Sequence, residues 1–155
     1  MDLPYGKALS SSDELKNLSN IDLLARMIYG EARGESLEGM RGVAHVAYNR
    51  KDHSRFPSSL SSVLLNGGFD GLYSAEGLAP DTNSSSWKNS LDIAMKMQNL
   101  ENPIGNLLWF NATKTFENNL KVNGGKYKFG GTSTPVSVTN KKVIGNHTFF
   151  IVEGY

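Results

Sequence analysis

The sequence of 155 residues contains no cysteine. Thiol chemistry, disulfide bonds and cysteine-ligated zinc are therefore excluded, although a cysteine-free chain is compatible with either redox compartment. The three histidines form no HExxH pattern, so the sequence predicts neither a metal site nor another cofactor. The length suits a single domain with a hydrophobic core of its own.

The sequence also lacks an excess of one charge and a long hydrophobic run. Sixteen basic and fifteen acidic residues leave a net charge of +1, and no basic run is interleaved with aromatic residues, so we expect no nucleic-acid partner. No apolar run is long enough to span a bilayer, and residues 1–7 contain no apolar signal core. We expect synthesis in the cytoplasm without a signal peptide, no membrane insertion, and a monomer.

Helix signals dominate the first hundred residues. Residues 1–19 are predicted to be an N-terminal arm with a short helix that begins at a Ser11–Glu14 capping box. Ser19 predicts a second helix start near Asn20, and Gly34 suits the end of that helix. Apolar spacing and capping residues predict further helices over roughly 36–52, 58–65 and 87–100, with a long loop over 66–86.

The pattern changes after residue 100. The apolar run 107–110 predicts a short buried strand, and the polar, glycine-rich residues 111–134 predict an irregular segment. Residues 141–152 predict two short strands around a Gly145-Asn146 turn. The expected fold class is α+β, a mainly helical domain with a small β element late in the chain.

Glu31 is the residue that most needs an explanation. It continues the helical spacing of Leu24, Met27 and Ile28, which puts a carboxylate in line with an apolar stripe. Burial there would raise the pKa of Glu31, and a protonated carboxyl is the general acid that cleavage of a glycosidic bond requires. The alternative is a surface glutamate at a helix end, solvated or paired with Arg33, and spacing alone favours this alternative.

Two more carboxylates and several aromatic residues are candidates for the same site. Glu35 lies four residues beyond Glu31, but Gly34 should end the helix first, so a structural role is favoured for Glu35. Asp70 is first expected to be a turn or cap residue. Aromatic rings can stack on sugars, although each ring is more often part of a core. The ring candidates are Phe69, Tyr73, Trp109, Phe110 and Tyr127, and Tyr29 and Asn111 are further predicted substrate contacts.

Five blocks of sequence, in order, resemble the cell-wall hydrolase family typified by the SleB spore-cortex-lytic enzymes. The first contains LARMIYGEARGE and EGMRGVAHVAYNR, and a Phe-Pro segment follows it. The later blocks are GFDG, LLWFN and IGNHTFF. The resemblance extends over about residues 20–151, and five blocks in order are much more specific than a single motif.

The resemblance implies a compact lysozyme-like fold for a catalytic domain over residues 20–155. It also implies cleavage of the β-1,4 bond between N-acetylmuramic acid and N-acetylglucosamine in peptidoglycan. The catalytic glutamate of the family is the first Glu of an E-x-R-G-E motif, which corresponds to Glu31. SleB-type enzymes are lytic transglycosylases, which need one acid/base and no second carboxylate.

Departures from the family pattern leave alternatives open. Gly68 stands where a Gln-like residue is usual, and Asp70 where Ser or Thr is common. A hydrolytic muramidase that uses Glu31 with Asp70 or Glu35 is therefore an alternative, and a non-catalytic wall-binding or virion structural module is another. Because no binding repeat and no signal accompany the domain, we expect a phage-type endolysin released by a holin, or a lysin carried on a virion.

Overall fold

The structure is a computed structural model that describes residues 5–155. Its backbone forms two compact units, of which one ends at Pro103 and the other begins at Ile104. We refer to residues 5–103 as the helical unit and to residues 104–155 as the sheet unit. Residues 1–4 of the predicted N-terminal arm lie outside the described residues. Within residues 5–155, no helix combines the length and the apolar character needed to cross a membrane.

The helical unit consists of helices and 3₁₀ turns joined by short connections. A 3₁₀ turn over Ser12–Asn17 begins where the capping box predicted a helix, and the Glu14 carboxylate accepts a hydrogen bond from the Ser11 N–H. The α-helices are α1 (Asn20–Ala32), α2 (Leu37–Lys51), α3 (Leu60–Asn66), α4 (Ala75–Leu78) and α5 (Ser85–Lys96), and further 3₁₀ turns span Asp70–Tyr73 and Met97–Asn99.

Serine caps set the starts of the two long helices that flank the candidate site. The Ser19 side chain accepts a hydrogen bond from the Asp22 N–H at 3.2 Å, and the Ser36 side chain accepts one from the Gly39 N–H at 3.1 Å. Each bond satisfies one of the backbone amides that a helix start leaves without a partner. Helix α1 ends shortly before Gly34, whose φ of 90° reverses the chain. The predicted helix boundaries are confirmed here.

Helix α1 is the centre of the helical unit. It packs against α2, α5 and the 70–73 turn. The stripe of Leu24, Met27 and Ile28 is fully buried, as its spacing predicts. Because neighbours cover α1 on several sides, a polar side chain on this helix is desolvated unless it reaches the helix end.

The predicted long loop over 66–86 is partly ordered into helical turns. The 70–73 turn and α4 both lie within it, and the Ser74 side chain caps α4 by accepting a hydrogen bond from the Gly77 N–H at 3.2 Å. Turns of four residues are too short to show a helical period in the sequence, so the composition of this segment predicts a loop.

The sheet unit is an antiparallel sheet with one helix. Its elements are β1 (Trp109–Ala112), α6 (Thr113–Val122), β2 (Val138–Ile144) and β3 (His147–Val152). The strands have the order β1-β3-β2, and β2 and β3 form the predicted hairpin around Gly145 and Asn146. The prediction of an irregular segment after residue 111 was wrong in part, because α6 forms there and packs Phe116 against Tyr127 and Phe150. The α+β fold class is confirmed.

Candidate active site

Glu31 lies in the last turn of α1, next to the helix C-terminus. Its Oε1 accepts a hydrogen bond from the backbone N–H of Gly71 at 3.0 Å. Burial raises the pKa of the Glu31 carboxyl, the Gly71 N–H partly opposes this shift, and the negative charge of Asp70 adds to it. The negative end of the helix dipole acts in the same direction, since it disfavours a second negative charge. The site therefore raises the pKa of Glu31 from its ordinary value, and burial is the largest cause.

The cation nearest to Glu31 in sequence is engaged elsewhere. The Arg33 guanidinium lies over the ring of Tyr29, 5.3 Å from its centroid, and its Nη2 is 3.6 Å from Oε1 of Glu76. In the part of the chain that the structure describes, no basic side chain forms an ion pair with Glu31. The structure thus does not show the arrangement in which Arg33 neutralises this carboxylate.

Two glycines bring the backbone of α1 against the 70–73 turn. A Cβ atom on Gly30 would lie 2.1 Å from the carbonyl oxygen of Gly71, and a Cβ on Gly71 would lie 2.5 Å from the carbonyl carbon of Gly30. Neither position accepts a side chain unless the backbone moves. This close approach brings the Gly71 N–H within hydrogen-bond distance of the neighbouring Glu31 side chain.

The carbonyl group of Gly71, in the next peptide unit, also has a defined partner. The Ser74 hydroxyl donates to the Gly71 oxygen at 2.6 Å and accepts from the Gly77 N–H. A Cβ on Gly77 would lie 2.3 Å from the Gly71 oxygen, so this position also requires a glycine for close packing. Gly71 is thus held at its N–H by Glu31 and at its carbonyl by Ser74.

A buried ion pair on α1 fixes the end of α4. Arg26 is fully buried, and its Nε lies 2.8 Å from Oδ1 of Asp22. Its terminal nitrogens donate to the carbonyl oxygens of Gly77, Leu78 and Lys7. Helix α1 therefore presents Glu31 at its C-terminal end and holds the end of α4 through Arg26 in its middle. Sequence reasoning missed this network, although the i, i+4 spacing of Asp22 and Arg26 was a visible signal.

Of the other predicted site residues in the helical unit, Asp70 and Tyr73 lie on the turn that contacts Glu31. Asp70 is exposed and acts on Glu31 through its charge. The Tyr73 side chain is 44% exposed, and its hydroxyl donates to the Leu65 oxygen at 2.7 Å. Glu35 lies beyond the end of α1, where its N–H donates to the Ala32 oxygen. Glu35 therefore does not extend the helical face that carries Glu31, as Gly34 predicted.

The structure places Tyr29 and Phe69 inside the helical unit, with 4% and 2% of their surface exposed. Tyr29 packs edge-on against Trp87, with the ring centroids 5.9 Å apart. The ring of Phe69 lies 4.8 Å from the guanidinium of Arg50, whose pKa burial lowers to about 10. In this arrangement neither ring faces solvent. Both rings pack within the helical unit, and neither offers a surface for stacking on a sugar.

Trp109 and Asn111 belong to strand β1 of the sheet unit, where both are half-buried. The Trp109 ring packs against Phe129 and Phe150, with centroid distances of 5.0 and 6.0 Å. The Asn111 amide donates to the Tyr127 hydroxyl at 3.1 Å. These contacts give both residues a role within the sheet unit, and their contact with substrate stays a prediction.

No cluster of three or more His, Asp or Glu side chains suited to a metal ion occurs among residues 5–155. His45 is buried in the middle of α2, and burial lowers the pKa of its imidazole, while a hydrogen bond to the backbone of Glu101 opposes that shift. It is a packed helical histidine.

A family model described as Cell Wall Hydrolase matches residues 34–150. The chain belongs to this family. The predicted resemblance is thereby confirmed for most of the chain. The matched region of the cell wall hydrolase family begins three residues after Glu31, so the match itself says nothing about the role of that side chain.

Curated relatives match over a shorter segment. Spore cortex-lytic enzymes from Oceanobacillus iheyensis and Bacillus subtilis are each 46% identical to this cell wall hydrolase over 47 residues, 30% of its chain. The matches span 17% and 15% of the length of these two relatives.

Solved structures with a similar fold are SleB catalytic domains. The catalytic domain of the germination-specific lytic transglycosylase SleB from Bacillus anthracis has a TM-score of 0.59 and 26% sequence identity, covering 85% of this chain and 93% of that domain. The catalytic domain of the Bacillus cereus SleB protein has a TM-score of 0.58 and 24% identity, covering 97% of this chain and all of that domain, and this likeness shows the fold alone.

Proposed function

We propose that this cell wall hydrolase cleaves the β-1,4 bond between N-acetylmuramic acid and N-acetylglucosamine in peptidoglycan, as a lytic transglycosylase with Glu31 as general acid and base. The observation that carries the proposal is the state of the Glu31 carboxyl. It is half-buried and held by one backbone N–H, and no basic side chain of the described residues pairs with it. The likeness to the SleB catalytic domain supports the same reaction class.

The reaction follows from one proton that leaves Glu31 and returns. The protonated carboxyl donates to the glycosidic oxygen while the bond from that oxygen to C1 of the muramic acid breaks. The resulting carboxylate then takes the proton of the C6 hydroxyl as O6 attacks C1 and closes a 1,6-anhydro ring. One carbon–oxygen bond breaks and one forms, no water is consumed, and Glu31 is protonated again.

The Gly71 N–H suits both halves of this cycle. A single donor on Oε1 leaves the other carboxyl oxygen to carry the transferable proton. When Glu31 becomes a carboxylate, the same hydrogen bond becomes charge-assisted and therefore stronger. The turn thus stabilises the charge that develops during catalysis, at the residue on which it develops.

Substitution of Glu31 tests the proposal directly. We expect Glu31→Gln to reduce the clearing of purified cell walls by about 10²–10⁴-fold, because the amide accepts the Gly71 hydrogen bond but cannot donate the proton. Glu35→Gln is the matched control and should keep most of the activity. Near-normal clearing by the Glu31→Gln variant would show that another group is the acid.

The products separate a lyase from a hydrolase. Mass spectrometry of the released fragments should show anhydro-muramoyl ends, which are lighter by one water than the reducing ends that hydrolysis leaves. Reducing ends as the main product would overturn the transglycosylase mechanism while leaving Glu31 as the acid.

A hydrolytic muramidase is the second candidate function, and the position of Asp70 is the observation that favours it. Asp70 is an exposed carboxylate whose charge acts on Glu31, so it could activate a water molecule. In a muramidase of this kind, Asp70→Asn should be as inactive as Glu31→Gln. In the transglycosylase, the Asp70→Asn variant should stay active, and the pH at which activity declines should move lower, because a charge that raises the pKa of Glu31 is gone.

A non-catalytic wall-binding or structural module is distinguished by a single assay. Such a module would sediment with peptidoglycan without releasing soluble fragments. That result for the wild-type chain, under conditions in which an established muramidase digests the same walls, would overturn both enzymatic proposals.

A further inference from the structure

Charge is distributed unevenly between the two units, although the whole chain is nearly neutral. The sheet unit contains six lysines and no arginine against two glutamates, which gives a net charge of +4. The chain up to residue 103 contains ten basic and thirteen acidic residues, which gives −3. The sheet unit is thus a basic body of only 52 residues.

The lysines of the sheet unit face solvent. All six are exposed, and within residues 5–155 the five other than Lys142 form no ion pair. The positive charge of these five lysines is therefore not neutralised by an ion pair. The six residues are Lys114, Lys121, Lys126, Lys128, Lys141 and Lys142.

A groove of about 350 Å³ lies between the end of α6 and strand β2 of the sheet unit. The register of β2 against β3 shifts between Val138 and Asn140, which opens the strand at this point. The groove is lined by Leu120, Gly125, Val138, Thr139, Asn140 and Lys141. It therefore contains the ammonium group of Lys141 and the amide of Asn140, whose Oδ1 accepts from the Lys141 N–H. The Thr139 hydroxyl donates to the Ile151 oxygen at 3.3 Å. Exposed lysines follow two of the lining residues directly, at positions 121 and 126.

Simpler explanations account for only part of this surface. Lysines on an edge strand such as β2 prevent pairing with other chains, and Lys121 near the end of α6 matches the helix dipole. However, Lys114 lies in the first turn of α6, where the dipole disfavours a cation. Lys126 and Lys128 follow α6, outside the named helices and strands. Protection of the edge strand and the helix dipole therefore do not explain all six lysines.

We propose that the basic surface formed by Lys141 in the groove, and by Lys121 and Lys126 next in sequence to residues that line it, binds a linear phosphodiester polymer of the bacterial cell wall. A repeated phosphate chain suits separate lysine charges, which act without fixed geometry, whereas paired recognition of single carboxylates favours arginine, which the sheet unit lacks. No aromatic side chain lines the groove, so the stacking that single-stranded nucleic acids require is not provided there. Membership of the cell wall hydrolase family favours a wall polymer among phosphodiester chains.

The test is a titration of the full chain with purified poly(glycerol phosphate) at several salt concentrations. We expect binding that weakens steeply between about 50 and about 200 mM salt, because binding releases condensed counterions. The variant K121Q/K126Q/K141Q should bind about tenfold more weakly or worse, with the slope of log K against log salt reduced by about two. These side chains are exposed, so far-UV circular dichroism should show an unchanged fold.

The matched control is K7Q/K16Q/K88Q, which removes the same charge from exposed positions of the helical unit. It should bind within about twofold of the wild type if the surface, and not net charge, is responsible. Equal losses in both variants, or wild-type binding that is absent or insensitive to salt, would overturn the proposal. Tighter binding of a single-stranded oligonucleotide with the same number of phosphates would overturn the choice of partner. Because the probe contains no glycosidic bond to cleave, the outcome does not depend on the role of Glu31.

Discussion

The helical unit buries some of its charged side chains, whereas the sheet unit exposes its charged side chains. The helical unit buries the Asp22–Arg26 ion pair and keeps Glu31 half-buried beside a backbone contact between glycines. The interior of the sheet unit is a cluster of aromatic rings, such as Tyr127 and Phe150 with centroids 4.6 Å apart, and its charged side chains are exposed. A buried carboxyl can hold a proton near neutral pH, whereas exposed lysines stay charged and attract anions. The first arrangement suits proton transfer and the second suits binding.

The largest effect should come from breaking the buried ion pair. We expect Arg26→Met to lower the free energy of unfolding by about 3–5 kcal/mol, because Asp22 would remain buried without its partner. Denaturation in urea measures this loss. Lys141→Met, which removes an exposed cation of the sheet unit, should cost less than about 1 kcal/mol. Similar losses in both variants would mean that the two units do not differ in how they use charge.

A smaller effect should follow from disrupting the backbone contact between Gly30 and Gly71. Gly71→Ala places a methyl group where the backbone of α1 lies, so we expect a loss of about 1–3 kcal/mol in stability and a marked loss of wall clearing. The same change at Gly130 of the sheet unit meets no atom within 4 Å and should be nearly neutral. If the Gly71→Ala variant kept full activity and stability, the close approach would not be needed to position Glu31.

The smallest effect concerns the pH dependence of stability. The pKa of Glu31 is raised above 4.5 in the folded chain, so the native state holds this proton more tightly than the unfolded state does. The contribution of Glu31 to stability is therefore largest below pH 4.5 and declines as pH rises through the folded pKa. Glu31→Gln should gain stability relative to the wild type between acidic and neutral pH, as measured by Tm.

Glu117→Gln, at an exposed position of the sheet unit, is the control for this measurement. Its effect on Tm should be small, because the side chain is exposed. A constant difference between the Glu31→Gln variant and the wild type across the same range would contradict a raised pKa for Glu31.

Local signals in the sequence predicted those parts of the fold that local physics controls. Ser19 and Ser36 indicate helix starts because a serine side chain can accept a hydrogen bond from a backbone amide two or three residues further along the chain. Gly34 and Gly145 mark chain reversals because only glycine adopts a positive φ without strain. The spacing of Glu31 with the apolar stripe of α1 singled it out as a carboxylate at the edge of a core.

Helix α6 and the ordered turns after residue 66 were missed because their signals are not local. Helix α6 has few apolar residues of its own, and Phe116 is buried only because Tyr127 and Phe150 cover it. The polar character of residues 111–134 therefore predicts an irregular segment. The burial of Tyr29 and Phe69 was missed for a similar reason, since an aromatic residue in the core and one in a sugar-binding surface look alike in sequence.

The sequence by itself determined the family, the boundaries of α1 and α2, and the carboxylate that carries the proposed chemistry, because motifs, caps and periodicity are properties of neighbouring residues. Only the tertiary structure decided that Gly71, forty positions away, donates to Glu31, and that burial raises the pKa of this side chain. It also decided that a nearly neutral chain forms one basic and one acidic unit. Desolvation and close backbone contact depend on which distant segments meet, and that information is distributed over the whole chain.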